Sequence, residues 1–164
     1  MRKIFKWLLG IALLALIAIQ FIPVQRTNPP VTYQPNWDSP ATEAMARRAC
    51  FDCHSNETNW PWYAYVAPVS WRITEHVREG RRKFNISEGK WHDTEEIVEE
   101  VERDKMPLWD YLLMHSEAKF TEAEKQTFLI GLEKTFSNSV KTNTRGQEGG
   151  EQHEHNEEHN EQEH

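Results

Sequence analysis

Cysteine is scarce: Cys50 and Cys53 are the only two in 164 residues, so at most one disulfide can form and a disulfide-stapled scaffold is excluded. An excess of positive charge is missing too. With 19 Lys and Arg against 26 Asp and Glu, the net charge is -7, which argues against a surface for nucleic acid or anionic lipid. Apolar character is thin overall. A mean hydropathy of -0.79 leaves room for one membrane helix and no more. No alternating strand pattern of useful length occurs, and no internal repeat. From Lys141 onward there is no aliphatic residue and no Phe, Tyr or Trp, so residues 139–164 cannot bury enough surface to fold and read as a disordered tail.

Against these absences stand seven Trp, a heavy load of large flat side chains that suits a Trp-built core or the walls around a flat ligand. Charge is also unevenly spread. Residues 1–40 carry +3, residues 41–140 carry -5 and residues 141–164 another -5, so three segments with different tasks are expected.

The first segment contains Trp7 to Val24, WLLGIALLALIAIQFIPV, in which Gln20 is the only clearly polar residue. As a helix it would span about 27 Å, close to the ~30 Å hydrocarbon core of a bilayer. Arg2, Lys3 and Lys6 precede it, and the positive-inside rule keeps such a flank cytoplasmic while the rest of the chain crosses. A cleaved signal peptide shares these features, but the small-x-small pattern expected after the run is poor, Ala18-Ile19-Gln20 being the nearest approach. Residues 1–24 therefore read as a retained signal anchor in a bacterial cell membrane, with the remainder in the periplasm or another extracytoplasmic space. Residues 25–39, with Pro29, Pro30 and Pro35, read as an extended linker lifting the next domain off the bilayer.

Residues 40–138 read as an all-α domain. Ser39 and Pro40 cap and start a helix leading to Cys50. Val69, Ile73 and Val77 mark a second helix to Glu79 with Gly80 as its stop, and Ile97, Val98 and Val101 mark a third over 94–103. Thr121 and Glu124 form a capping-box pair opening a last helix to about Phe136, with Phe128, Leu129, Leu132 and Phe136 inward.

Cys50-Phe51-Asp52-Cys53-His54 is the CxxCH pattern of c-type haem attachment. Two thiols three positions apart can each form a thioether to a haem vinyl group, and the adjacent histidine is then held beneath the iron as proximal ligand. Three other chemistries share part of the pattern. A thioredoxin-like redox pair belongs at a helix start after a strand, whereas the residues before Cys50 look helical. Structural zinc needs four ligands, so histidines would have to complete it. A plain disulfide is the third. Export of the domain favours haem over all of them, because covalent attachment in bacteria takes place outside the cytoplasm.

Met106, in Lys105-Met106-Pro107, is the strongest candidate for the distal ligand: its neutral soft thioether favours ferrous iron, and Pro107 stiffens the loop. His76 is the rival in a bis-histidine site. Met114 follows what looks like a packed helical segment, and His92 and His115 read as solvated. Trp60, Trp62, Tyr63, Trp71, Trp91 and Trp109 are candidate walls, and Arg72, Arg78, Arg81 and Arg82 candidate partners for haem propionates. The tail's His153, His155, His159 and His164 among glutamates could bind divalent metal loosely. Asn56 and Asn85 begin glycosylation sequons that recur by chance.

The stretches CFDCHSNETNWPWYAYVAPVSW, HVREGRRKFNISEGKW and KMPLWDYLLMH resemble the bacterial haem-binding domain family of small monohaem c-type cytochromes. The resemblance covers about residues 38–136, leaving linker and tail outside. It implies a cytochrome c-like helical fold around one covalent haem c, with Cys50 and Cys53 as attachment points, His54 as proximal ligand and Met106 as distal ligand. With both axial positions filled, the expected role is a membrane-anchored electron carrier serving oxidases or dehydrogenases, not an enzyme. The alternative is a haem-based sensor or ligand-binding module in which Met ligation is weak or absent.

Overall fold

A computed structural model describes residues 1–91 and 93–148, with side chains to residue 137. His92 and the histidines of the tail lie outside the described residues, and with them the expectations placed on those positions. The described chain is all-helical. Its nearest approach to a strand is one antiparallel bridge between Asn85 and Lys90.

Helix α1, Arg2–Ala18, continues through a 3-10 turn at Ile19–Phe21 as one apolar rod of 20 residues, long and apolar enough to cross a membrane. None of its residues is buried by the rest of the chain. Helix α2, Pro40–Ala49, starts where expected: the Ser39 hydroxyl accepts from the Thr42 amide at 3.2 Å. A short α3, Phe51–His54, follows at once. Helix α4 covers Val69–Lys83, α5 Thr94–Glu102, α6 Trp109–Leu112 and α7 Glu122–Glu148. The Thr121 amide donates to Glu124 Oε2 at 2.8 Å while the Glu124 amide donates to Thr121 Oγ1 at 3.3 Å, so the capping box closes in both directions.

Phe128, Leu129, Leu132 and Phe136 of α7 are buried as their spacing predicts, and pack with Met45, Phe51, Phe84, Ile86 and Val101 into one core. Trp91 belongs to that core. Its ring lies 4.9 Å from Phe136 and 6.0 Å from Phe84, centroid to centroid, which removes it from the expected ligand walls.

Three sequence expectations change. Helix α4 does not stop at Gly80 but runs on to Lys83. Gly80 is buried where α4 crosses α3, and a Cβ there would overlap the Cys53 carbonyl oxygen, so the glycine serves a close crossing. Helix α7 passes Phe136 and continues to Glu148, because extending a packed helix adds a hydrogen bond per residue without a new nucleus. The tail expected from residue 139 is thus helical over 139–148.

The third change concerns the linker. Residues 25–39 are extended but not free: Asn28 Nδ2 donates to the Thr58 carbonyl at 2.9 Å, and the Thr32 and Tyr33 amides both donate to the Ser87 carbonyl at 2.9 Å. Arg81 adds bonds to the Thr27 carbonyl (2.8 Å) and to Asn28 Oδ1 (3.0 Å), and the Asp38 amide donates to Thr135 Oγ1 (3.1 Å). An extended strap cannot satisfy its own backbone groups, and the domain supplies partners along its length. The segment therefore does not lift the domain away from α1. The sequon residues Asn56 and Asn85 are both buried and bonded to each other through Asn85 Nδ2 and Asn56 Oδ1 at 3.0 Å, an internal role that glycosylation would destroy.

Candidate cofactor site

The Cys50–His54 segment makes one tight turn, with the Cys53 and His54 amides both directed at the Cys50 carbonyl (3.2 and 2.8 Å). Both cysteines are free. Burial, joined by the neighbouring Cys53 for one thiol and by Asp52 and Asp110 for the other, pushes both up to about 12. The shift favours the neutral thiol over the thiolate. Among the described residues no three of His, Cys, Asp and Glu converge to hold a metal ion.

His54 is fixed through one face of its ring. Its Nδ1 lies 3.1 Å from both the Gly80 and the Phe84 carbonyl oxygens. Carbonyls only accept, so Nδ1 carries the proton and Nε2 keeps its lone pair. Burial, opposed by the two carbonyl bonds, holds the imidazole below its ordinary pKa, and it stays neutral as a metal ligand must. Gly80 acts twice here: its missing side chain admits α3, and its carbonyl orients the ring.

Cys53 and His54 line a cavity of about 640 Å³, within the usual range of ligand and cofactor pockets. Its lining is overwhelmingly apolar. Helix α4 contributes Val69, Ile73, His76 and Val77, and the segment after α5 contributes Met106, Leu108 and Trp109. Cys50, three residues before Cys53, is not on the wall; it packs against the hydrophobic core.

Met106 reaches the cavity by a helix-ending turn that pattern reading overlooked. Asp104 adopts the left-handed conformation at φ 55°, tolerable for Asp. The Asp104 amide donates to the Val101 carbonyl (3.2 Å) and the Lys105 amide to the Glu100 carbonyl (2.9 Å), a Schellman closure of α5. The Met106 amide also reaches Glu100 at 3.0 Å. The two distal candidates thus arrive differently. His76 sits on the helix that backs His54, and Met106 on a separate loop.

Of the six expected wall aromatics, Trp62, Tyr63 and Trp109 line the cavity and Trp60, Trp71 and Trp91 do not. Trp60 instead donates to Asn28 at 3.2 Å. Tyr111 lines the cavity unforeseen, its hydroxyl donating to Asp52 at 2.8 Å. It also stacks on His115 at 4.2 Å, while Tyr63 Oη and His115 Nε2 lie 2.6 Å apart. His115 is therefore a bonded wall residue, only 18% exposed, and not a solvated one. Leu113 and Met114, expected to pack, are 71% and 58% exposed, and Met114 lines the cavity.

The four arginines separate cleanly. Arg78 and Arg82 are off the lining and pair with Glu75 and Glu79, of which Glu79 lines the cavity, and Arg81 is spent on the Ser55 and Thr27 carbonyls, Asn28 and Thr58. Only Arg72 lines the cavity, already 2.6 Å from Asp110, with Lys83 as a cation nobody would have picked from spacing. An apolar slot of this volume, a neutral imidazole with a spare Nε2 and a thioether sulfur is a donor set that fits an iron porphyrin.

The comparisons with known proteins agree with that fit. Residues 14–134 match the family model described as a haem-binding domain. The match takes in the strap that the resemblance had left outside. No curated protein and no solved structure matches the chain.

Proposed function

Since the chain belongs to the haem-binding domain family, we propose that it is a membrane-anchored monohaem c-type cytochrome that passes single electrons between extracytoplasmic redox proteins. Bound haem would supply a one-electron ferric/ferrous couple. The chain's residues would do the rest. Cys50 and Cys53 would hold the ring through thioethers, and His54 would offer Nε2 and Met106 its sulfur from the loop after α5. Trp62, Tyr63 and Trp109 on the lining would help limit water in the slot, and Arg72 and Lys83 there are cations that acidic substituents would pair with.

The observation that carries this reading is the locked tautomer of His54, directly after Cys53 and facing an apolar cavity. Such second-shell bonds orient a ligand and raise its basicity. With protein donors on both sides, no coordination position is left for a substrate, so the proposed role is a carrier and not an enzyme. Helix α1 would keep it in the cell membrane, close to oxidases or dehydrogenases at raised effective concentration.

The test is a haem-stained denaturing gel of membrane and soluble fractions. The wild-type band should stain in the membrane fraction, and Cys50→Ser with Cys53→Ser should abolish the stain. Because Cys50 lies off the cavity wall, the single variants are informative: Cys53→Ser should lose more stain than Cys50→Ser. Stain surviving the double change would refute covalent attachment, while fast carbon monoxide binding to reduced wild type would favour the sensor.

A further inference from the structure

Thirteen consecutive residues, 59–71, carry no charge in a chain that is 27% charged. Within them Trp62, Tyr65, Val66 and Val69 are 74%, 58%, 44% and 48% exposed, an apolar and aromatic tip on an otherwise acidic domain. Part of the tip's backbone is satisfied without water. The amides of Ala64, Val66, Ser70 and Trp71 all find carbonyls within it, and Pro61 and Pro68 have no amide proton to satisfy.

This tip is clamped to the end of α1. Gln20 Nε2 donates to the Ala67 carbonyl at 3.1 Å, and the Ala67 amide donates back to Gln20 Oε1 at 2.9 Å. Arg26 completes the junction, with Nη1 donating to the Ala64 carbonyl at 3.3 Å and its guanidinium 4.5 Å over the Tyr65 ring. The height of the clamp follows from the helix rise. At about 1.5 Å per residue, Gln20 stands about 27 Å above Arg2 and about 21 Å above Lys6, whereas the hydrocarbon core is about 30 Å thick. Whichever cation marks the cytoplasmic edge, Gln20 lies at or beneath the outer edge, and Ala67 with it.

We propose that the 61–69 loop is seated in the outer interfacial layer of the bilayer, with Trp62, Tyr65, Val66 and Val69 as its lipid contacts. The proposal rests on the anchored reading above. Trp and Tyr are the residues that favour the headgroup level, and the contact is apolar and aromatic, so it needs no anionic lipid. Trp62, Tyr63 and Val69 also line the cavity, so its rim is held at membrane level. Redox partners reaching that rim are then proteins embedded in the same bilayer.

The test uses the haem-loaded full chain in phosphatidylcholine vesicles, spin-labelled at Val66→Cys or at Lys134→Cys, with label-treated wild type as the blank. Lys134 is the distant control, because the strap climbs from Ala64 past Thr58 and Ser87 to Thr135. Collisions with oxygen, which partitions into lipid, are compared with collisions with a water-soluble nickel chelate. The oxygen-to-nickel ratio should be several-fold higher at Val66 than at Lys134, and Gln20→Ala should shrink that difference. Equal ratios in chains that stay with the vesicles through an alkaline wash would overturn the seating and leave the anchor standing. Chains released by the wash would overturn the anchor itself.

Discussion

The two walls of the cavity are built on different principles. The His54 wall is held by main chain: α3 lies against α4 at a glycine, and two backbone carbonyls fix the ring. The Met106 wall is a loop closed by a left-handed Asp104 and continued through the short helix α6 to Met114, with Trp109 and Met114 71% and 58% exposed. Backbone bonds inside a packed crossing leave few alternatives, whereas an exposed loop can shift without disturbing the core. One wall is therefore preorganised to hold a ligand and the other to admit one.

The harshest way to break that contrast is Gly80→Ala. The added methyl meets the Cys53 carbonyl, and neither helix can yield without tilting the turn that carries His54. Overpacking of this kind destabilises by roughly 1–3 kcal/mol. The expected outcome is a lower urea midpoint together with loss of haem stain. A midpoint unchanged from wild type would mean that the crossing is loose, and the contrast between the walls would go with it.

Substitutions at the two distal candidates sharpen the contrast. Met106→Ala removes packing from the edge of the core and should cost about 2 kcal/mol, the low end for truncating a half-buried methionine. It should also abolish the weak long-wavelength band of a ferric methionine-ligated haem while covalent stain persists. His76→Ala, on the helix already committed to His54, should leave that band in place. If His76→Ala removes the axial ligand signature and Met106→Ala does not, the distal assignment passes to the histidine.

These contrasts show what was legible in the chain. Periodicity and caps located α2, α5 and the start of α7, and the buried face of α7 matched its spacing, because those signals are local. The Cys50–His54 motif stood out because its spacing is local, and the structure sets its Cys53 and His54 on the cavity lining. Gly80 was misread as a stop since its purpose lies on another helix. The order Asp104-Lys105-Met106-Pro107 carries the signal for the α5 turn, an αL-tolerant residue ahead of a proline, though a helix-periodicity reading does not register it. The docked strap was invisible because its proline content is the same whether its bonds are to water or to the domain. His115 read as solvated because its partner Tyr63 lies 52 residues away.

The smallest expected effect lies outside both walls and serves to isolate them. Glu124 accepts from the Thr121 amide and hydroxyl and pairs with Arg48 at 2.7 Å. The backbone bond first, then Arg48, hold its carboxyl down to about 2 from an ordinary 4.5. The folded state thus keeps the charged form more strongly than the unfolded chain does. This contribution is complete above pH 4.5 and lost as pH falls toward 2. Glu124→Gln should therefore flatten the loss of stability over that interval, measured as the urea midpoint against pH, with a modest change because the pair is exposed. The axial-ligand spectrum at neutral pH should not move. If it does, α7 and the Met106 loop are mechanically coupled, and the second wall is less free than its exposed surface implies.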